Sequence, residues 1–221
     1  MTTVRVLGIL ALILATGAAG SAQSRTPEAV ARDIQLKYDR VRDFSADFVH
    51  TYRGGVLKQQ ATERGKLLVK KPGKMRWEYS APERKLFVSD GAKIYSYIPQ
   101  DKQVTVSDMP RGDQVPTPAL FLTGNGDITR DFTPSFDNAS DTPAGTLQLK
   151  LVPKRAEAEY DSLTLVVDAK TLDLRMLITN DSQGGRSTFT FSNLKENTGL
   201  ADNQFVFQMP RNVDVITAGG R

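Results

Sequence analysis

His50 is the only histidine of the 221-residue chain, and cysteine is absent. A histidine acting as a base needs a nucleophile beside it, and no such partner or ligand cluster is visible in the sequence around it. No G-x-S-x-G elbow and no H-E-x-x-H pair occurs. The 25 acidic residues offer many carboxylate pairs, but no spacing singles one out for acid–base work. Asn180 and Asp181 read as turn residues rather than calcium ligands. The sequence therefore argues against an enzyme, and no cofactor or metal is expected.

What the chain offers in place of reactive groups is apolar surface. Residues 74–97, KMRWEYSAPERKLFVSDGAKIYSY, carry the only tryptophan, Trp77, with Tyr79, Tyr95, Tyr97, Phe87 and several aliphatics. Any one of these side chains is adequately explained as core. Taken over a whole sheet with little helix above it, they leave apolar volume to fill, which suggests a lipid or acyl ligand.

The elements that would hold this surface follow from periodicity. The chain opens with Arg5, a continuous apolar run from Val6 to Ala15, and small residues from Gly17 to Ala22. These are the parts of a secretory signal peptide, with cleavage expected after Ala22. At about ten residues the apolar run is short for a membrane span. Residues 1–22 are thus read as a signal and 23–221 as a single domain, soluble after export. Without cysteine there is no disulfide framework, so stability must come from a hydrophobic core. The net charge is +4, one unit of it from Arg5, and no clustered basic arm suggests nucleic acid. The densest basic stretch, residues 64–76, reads either as a lysine-protected strand edge or as a docking surface for an acidic partner.

Thr26 is a natural N-cap with Pro27 at the first helical position, and Val30, Ile34, Tyr38 and Val41 form one apolar stripe. The spacing predicts a helix of about 15 residues. From Phe44 the period becomes two, with Phe44, Ala46, Phe48, His50 and Tyr52 on one face. Strands are predicted at 66–70, 75–79, 85–89 and 92–98, the last two joined by an Asp90–Gly91 hairpin turn. Further strands are predicted at 103–109, 146–154, 162–181, where Ala169 and Lys170 mark a turn, 187–197 and 205–210. Residues 117–122 read as a short apolar helix, capped by Thr117 and stopped by Gly124–Gly126. The result is one helix, about ten antiparallel strands and a short helical insertion, in a sandwich or barrel.

In order and spacing these segments resemble the LolA family, periplasmic carriers of outer-membrane lipoproteins. FSADFVHTY resembles the family's first strand. GKLLVKKPGKMRWEY is similar to its glycine, apolar strand, basic-Pro turn and x-W signature. KLFVSDGAKIYSYIP resembles its L-V-S-D-G hairpin, TPALFL its lid helix, and FVFQMPRNVDV its last segment. The resemblance implies a mainly β fold with a few helices, an incomplete, half-open antiparallel β-barrel of about 10–11 strands closed by a helical lid. It implies a periplasmic chaperone, a monomer, that takes lipoproteins by their acyl chains from an inner-membrane LolCDE-type ABC transporter to an outer-membrane LolB-type receptor. LolB is anchored through a lipidated cysteine, so a chain without cysteine reads as the carrier. Two other readings stay open: a binding protein for another lipid or glycolipid, and a lipoprotein-sensing interaction domain.

On this reading the cavity walls are Ile34 and Tyr38 of the helix, Phe44, Phe48, Tyr52, Met75 and Trp77 of the strands, and Leu120 and Leu122 of the lid. Phe87 and Ile94 should share a face, and which side of their hairpin lines the cavity stays open. In the family the residue before the turn proline is usually arginine, which bonds lid carbonyls and holds the empty carrier closed. Here it is Lys71, a weaker or shared latch, with Lys70 or Lys74 as helpers.

Overall fold

The computed structural model describes residues 25–54, 60–109, 126–138, 141–157 and 160–218. The signal segment and the predicted lid helix, with Leu120 and Leu122, lie outside these residues.

The first helix forms where its caps predict. Helix α1 (Pro27–Arg40) starts at Thr26, whose Oγ1 accepts from the Ala29 N–H at 3.3 Å. Its buried stripe is Val30, Ala31, Ile34 and Tyr38, and each large side chain buried there contributes about 1.5–3 kcal/mol. Strands β1 (Asp43–Arg53), β2 (Gln60–Lys70), β3 (Lys74–Ala81), β4 (Lys85–Asp90), β5 (Lys93–Ile98) and β6 (Gln103–Asp108) follow as a meander. The β4–β5 turn is closed by Asp90, whose Oδ1 accepts from the N–H groups of Ala92 and Lys93, both at 2.8 Å. Gly91 supplies the positive φ of 97° that the turn requires.

A one-turn helix α2 (Ile128–Asp131) leads into β7 (Phe132–Phe136), β8 (Thr146–Pro153), β9 (Ser162–Asp168), β10 (Leu174–Asn180) and β11 (Arg186–Glu196), and β12 (Asp214–Ala218) completes the set. All twelve lie in one sheet, ordered β12-β6-β5-β4-β3-β2-β1-β11-β10-β9-β8-β7. Among the described residues β12 and β7 remain unpaired edges, so the sheet is open and does not close into a barrel.

Three features depart from the sequence reading. Residues 205–210 are not a strand. Asp202–Phe205 is a 3-10 turn, and the following residues run without pairing. The sheet order gives the reason: β11 lies in the middle beside β1, so the chain must pass over β1–β5 to reach the edge at β6. Its apolar residues serve as a cover for the outer face. Phe205 is buried with Val88 and Val104, and the Phe207 ring stacks on Tyr95 at 4.9 Å. The second departure is that β12 then pairs parallel to β6, making the sheet mixed. The third is β7, where Pro134 weakens the strand signal, yet an edge strand tolerates proline.

The crossover is anchored by Asp43. This buried carboxylate accepts from the N–H of Thr198 at 2.8 Å, its hydroxyl at 3.2 Å, and the N–H of Gly199 at 3.1 Å. On the outer face Asp202 pairs with Lys70 at 2.6 Å and Lys74 at 3.1 Å. Part of the basic stretch thus meets an acid of its own chain.

Candidate functional site

The inner face of the sheet carries the aromatic surface. Phe44, Ala46 and Phe48 of β1 point the same way as Leu67 and Val69 of β2 and Met75 and Trp77 of β3, and all are buried in one core cluster with Ile34, Tyr38 and Phe191. The Phe48 ring centre lies 5.0 Å from Trp77, 4.9 Å from Tyr79 and 6.0 Å from Phe189, each edge to face or nearly so. Such pairs add to what area alone gives. Gly65, paired with Phe48 across the β1–β2 ladder, makes the room. A Cβ there would sit 2.8 Å from Phe48 Cζ and 2.0 Å from the Glu78 carbonyl oxygen. Phe87 pairs with Trp77, and Ser89 with Ile94, so Phe87 and Ile94 share the inner face and pack against the core. The other side of that hairpin, Val88 and Tyr95, meets the crossover.

Helix α1 lies over the far half of the sheet, against α2, β7 and β8. Polar groups fix it there. The Tyr38 hydroxyl accepts from the Leu174 N–H at 2.9 Å, and burial pushes its phenol pKa up. Lys37 bonds Asp173 and donates to the Thr171 carbonyl at 3.1 Å, with Glu196 at 3.3 Å. The Gln35 side chain accepts from the Ile128 N–H at 2.9 Å, joining α1 to α2. Lys71, in the β2–β3 turn, donates its ammonium to the Tyr38 carbonyl near the C-terminus of α1. A helix end of that polarity favours a cation. Burial lowers the Lys71 pKa, while Asp39 partly restores it. Lys70 and Lys74, turned to Asp202, do not share this contact.

At the opposite end of β1 the same face turns polar. The half-buried His50 ring stacks on Phe189 with centres 4.1 Å apart and planes 5° apart. Its Nε2 lies 2.6 Å from Ser187 Oγ and its Nδ1 3.1 Å from Glu63 Oε2, and Glu63 also takes a bond from Lys85. Burial, reinforced by the Lys85 charge and opposed by Glu63, lowers the His50 pKa, so the ring is neutral at neutral pH. Sequence reading found no partner for His50, because Ser187 arrives from 137 positions away. The order Ser–His–Glu is that of a nucleophile relay. Ser187, however, is the second residue of β11, flanked by Tyr52 and Thr179 within the sheet, and Lys85 shares the charge of Glu63.

The structure therefore brings Ile34, Tyr38, Phe44, Phe48, Met75, Trp77, Phe87 and Ile94 onto one continuous apolar face. Tyr52 sits half-buried near its polar end. Tyr79, Phe189 and Phe191 belong to the same wall. The alternation S-T-F-T-F at 187–191 was the signal for the last two.

The description "Outer membrane lipoprotein carrier protein LolA" belongs to the family whose pattern matches residues 39–208. This chain belongs to the LolA family. The LolA match spans the end of α1, strands β1 to β11 and most of the outer crossover. Its relatives include outer-membrane lipoprotein carrier proteins of Pseudomonas syringae pv. tomato, 34% identical over 190 residues, covering 85% of this chain and 87% of the relative. That of Chromohalobacter salexigens is 33% identical over 185 residues, covering 82% and 84%. That of Pseudomonas putida GB-1 is 31% identical over 217 residues, covering 98% and 99%. An uncharacterized conserved protein from Thermus thermophilus shares the fold, with a TM-score of 0.53 at 13% identity, covering 85% of this chain and 97% of that one.

Proposed function

We propose that this LolA-family chain is a periplasmic lipoprotein carrier whose inner face shields acyl chains. The observation that carries the reading is the single aromatic and aliphatic face, from Ile34 of α1 to Phe87 of β4, on a sheet that is open at both edges. Removing one CH₂ from water is worth about 0.8 kcal/mol, so an acylated protein does not cross an aqueous gap unaided. The carrier must cover the chains and still release them. Soft contacts serve both needs, because Met75 and the aromatic edges adapt to chains of different length. Residues 1–22 serve as the export signal and 23–221 as the carrier domain.

In the empty protein the wall closes on itself, which hides apolar surface that would otherwise promote aggregation. Lys71 is the latch: its bond to the Tyr38 carbonyl holds α1 over the face. Tyr52, Ile94 and the wall residues receive the chains when the cover moves. Cargo is taken from a LolCDE-type transporter and passed to a LolB-type receptor, without turnover of the cargo. The named function of the relatives supports the lipoprotein cargo; the transporter and the receptor follow from the family resemblance. The test is native cargo: the protein is isolated from periplasm without detergent and its bound material is identified by mass spectrometry. Triacylated or diacylated lipoproteins in a one-to-one complex support the reading. Free phospholipid or glycolipid alone would replace it with a lipid-binding role.

A further inference from the structure

The inner face has two polar ends, and they differ in kind. At one end Lys71 is spent on a helix carbonyl beneath α1. At the other, hydrogen bonds run from Ser187 to His50, on to Glu63 and from there to Lys85, next to the Phe189 ring. An acyl chain laid on the wall must put its ester or amide end somewhere, and an unpaired carbonyl against hydrocarbon is costly. We propose that the cluster of His50, Ser187, Glu63 and Lys85 is a subsite for the carbonyl end of an ester- or amide-linked acyl chain, with the hydrocarbon running from Phe189 past Trp77 toward Phe44 and α1. The inference rests on the acyl-binding reading of the wall and adds a direction to it.

The chemistry of the cluster fits. A carbonyl oxygen needs donors, and Ser187 and Lys85 supply an O–H and an N–H that now serve neighbours of the same cluster. Neutral His50 can accept from Ser187 or donate to Glu63, so the network can rearrange around an incoming carbonyl without a net change in charge. The Phe189 ring, held flat on His50, continues directly into the aromatic wall, its centre 5.1 Å from Trp77.

The only tryptophan reports the direction. Through Leu67, Trp77 aligns with Ala46, four residues along β1 from His50 and two from Phe44. Its side chain nevertheless reaches toward the cluster: the Trp77 ring centre is 5.1 Å from Phe189, which lies 4.1 Å from the His50 ring. Phe44 lies six residues along β1 from His50, about 20 Å at about 3.3 Å per residue. Bromine quenches indole fluorescence only near contact. Full-length protein is mixed with stearoyl lysophospholipids brominated beside the ester or toward the methyl end. Bromines beside the ester should quench Trp77 more strongly than those toward the methyl end. In the paired variant Trp77→Phe with Phe44→Trp the reporter sits at the α1 end, and the order should invert. His50→Phe with Ser187→Ala should weaken the ester-bearing probe roughly tenfold, the loss of one to two hydrogen bonds, and leave a plain alkyl dye unaffected. The same order for both reporters, or stronger quenching of Trp77 from the methyl end, would overturn the subsite and leave the acyl wall standing. No quenching from any position would overturn both. Repeating the experiment with a brominated lipopeptide tells whether the carbonyl belongs to a lipoprotein or to free lipid, since each should give the same order if it uses the cluster.

Discussion

Lys71→Ala tests the latch, and its size can be worked from the contacts. The mutation removes one charge-assisted hydrogen bond to the Tyr38 carbonyl, an interaction of about 1.5–3 kcal/mol. Two terms reduce the net effect. The carbonyl is not orphaned, because the Val41 N–H still reaches it at 3.2 Å. The half-buried ammonium is also held at a desolvation cost, shown by its lowered pKa, and that cost vanishes with it. A net shift of about 1.4 kcal/mol is a tenfold change in an equilibrium, so opening at α1 should rise roughly tenfold. The assay is binding of an environment-sensitive apolar dye to the empty protein, with amide exchange of residues 34–40 alongside. Lys71→Arg should restore closure, since its planar fork offers more donors to the same carbonyl. Dye binding and exchange unchanged in Lys71→Ala would refute the latch. So would an equal rise in Lys70→Ala, because Lys70 faces Asp202 on the other side of the sheet.

Other expectations follow from the same contacts. Gly65→Ala forces a Cβ to 2.0 Å from the Glu78 carbonyl oxygen. Such overpacking costs about 1–3 kcal/mol, and thermal melting should drop by about 2–4 °C for each kcal/mol. Asp43→Ala strands the Thr198 and Gly199 donors, so limited proteolysis should move to residues 197–213 while β1 and β2 stay protected. The folded-state pKa of His50 is lowered from 6.5, with burial as the main cause. The unfolded chain therefore takes up the proton first, and stability should fall as pH drops below about 6.5 toward the folded value. His50→Asn should flatten that part of a denaturation–pH curve, leaving only the carboxylate-dependent loss at lower pH.

The sequence made local order readable and long-range order much less so. Thr26 and Pro27 marked the helix start, and the Asp90–Gly91 turn marked the tightest hairpin, because each acts within a few residues. Alternation placed Phe44, Phe48 and Trp77 on one face for the same reason. The 205–210 segment failed because its F-x-F pattern fits a strand and a cover equally well. Which of these it becomes depends on where β11 docks, a fact about residues 186–196 against β1. The partners of His50 were hidden likewise: Glu63 is thirteen positions away and Ser187 much farther. Only the ladder brings the three together. The basic stretch 64–76 was legible as a surface, but its acid, Asp202, became visible only once the crossover was traced.

The proposed function requires this chain to lift lipoproteins off a membrane. Spheroplasts carrying a radiolabelled outer-membrane lipoprotein are incubated with purified residues 23–221, and the soluble fraction is analysed by gel filtration. Labelled lipoprotein should appear in a one-to-one soluble complex, lost when Phe48→Asp disrupts the inner wall. Labelled lipoprotein that stays with the membrane while the protein recovers only free lipid would contradict it.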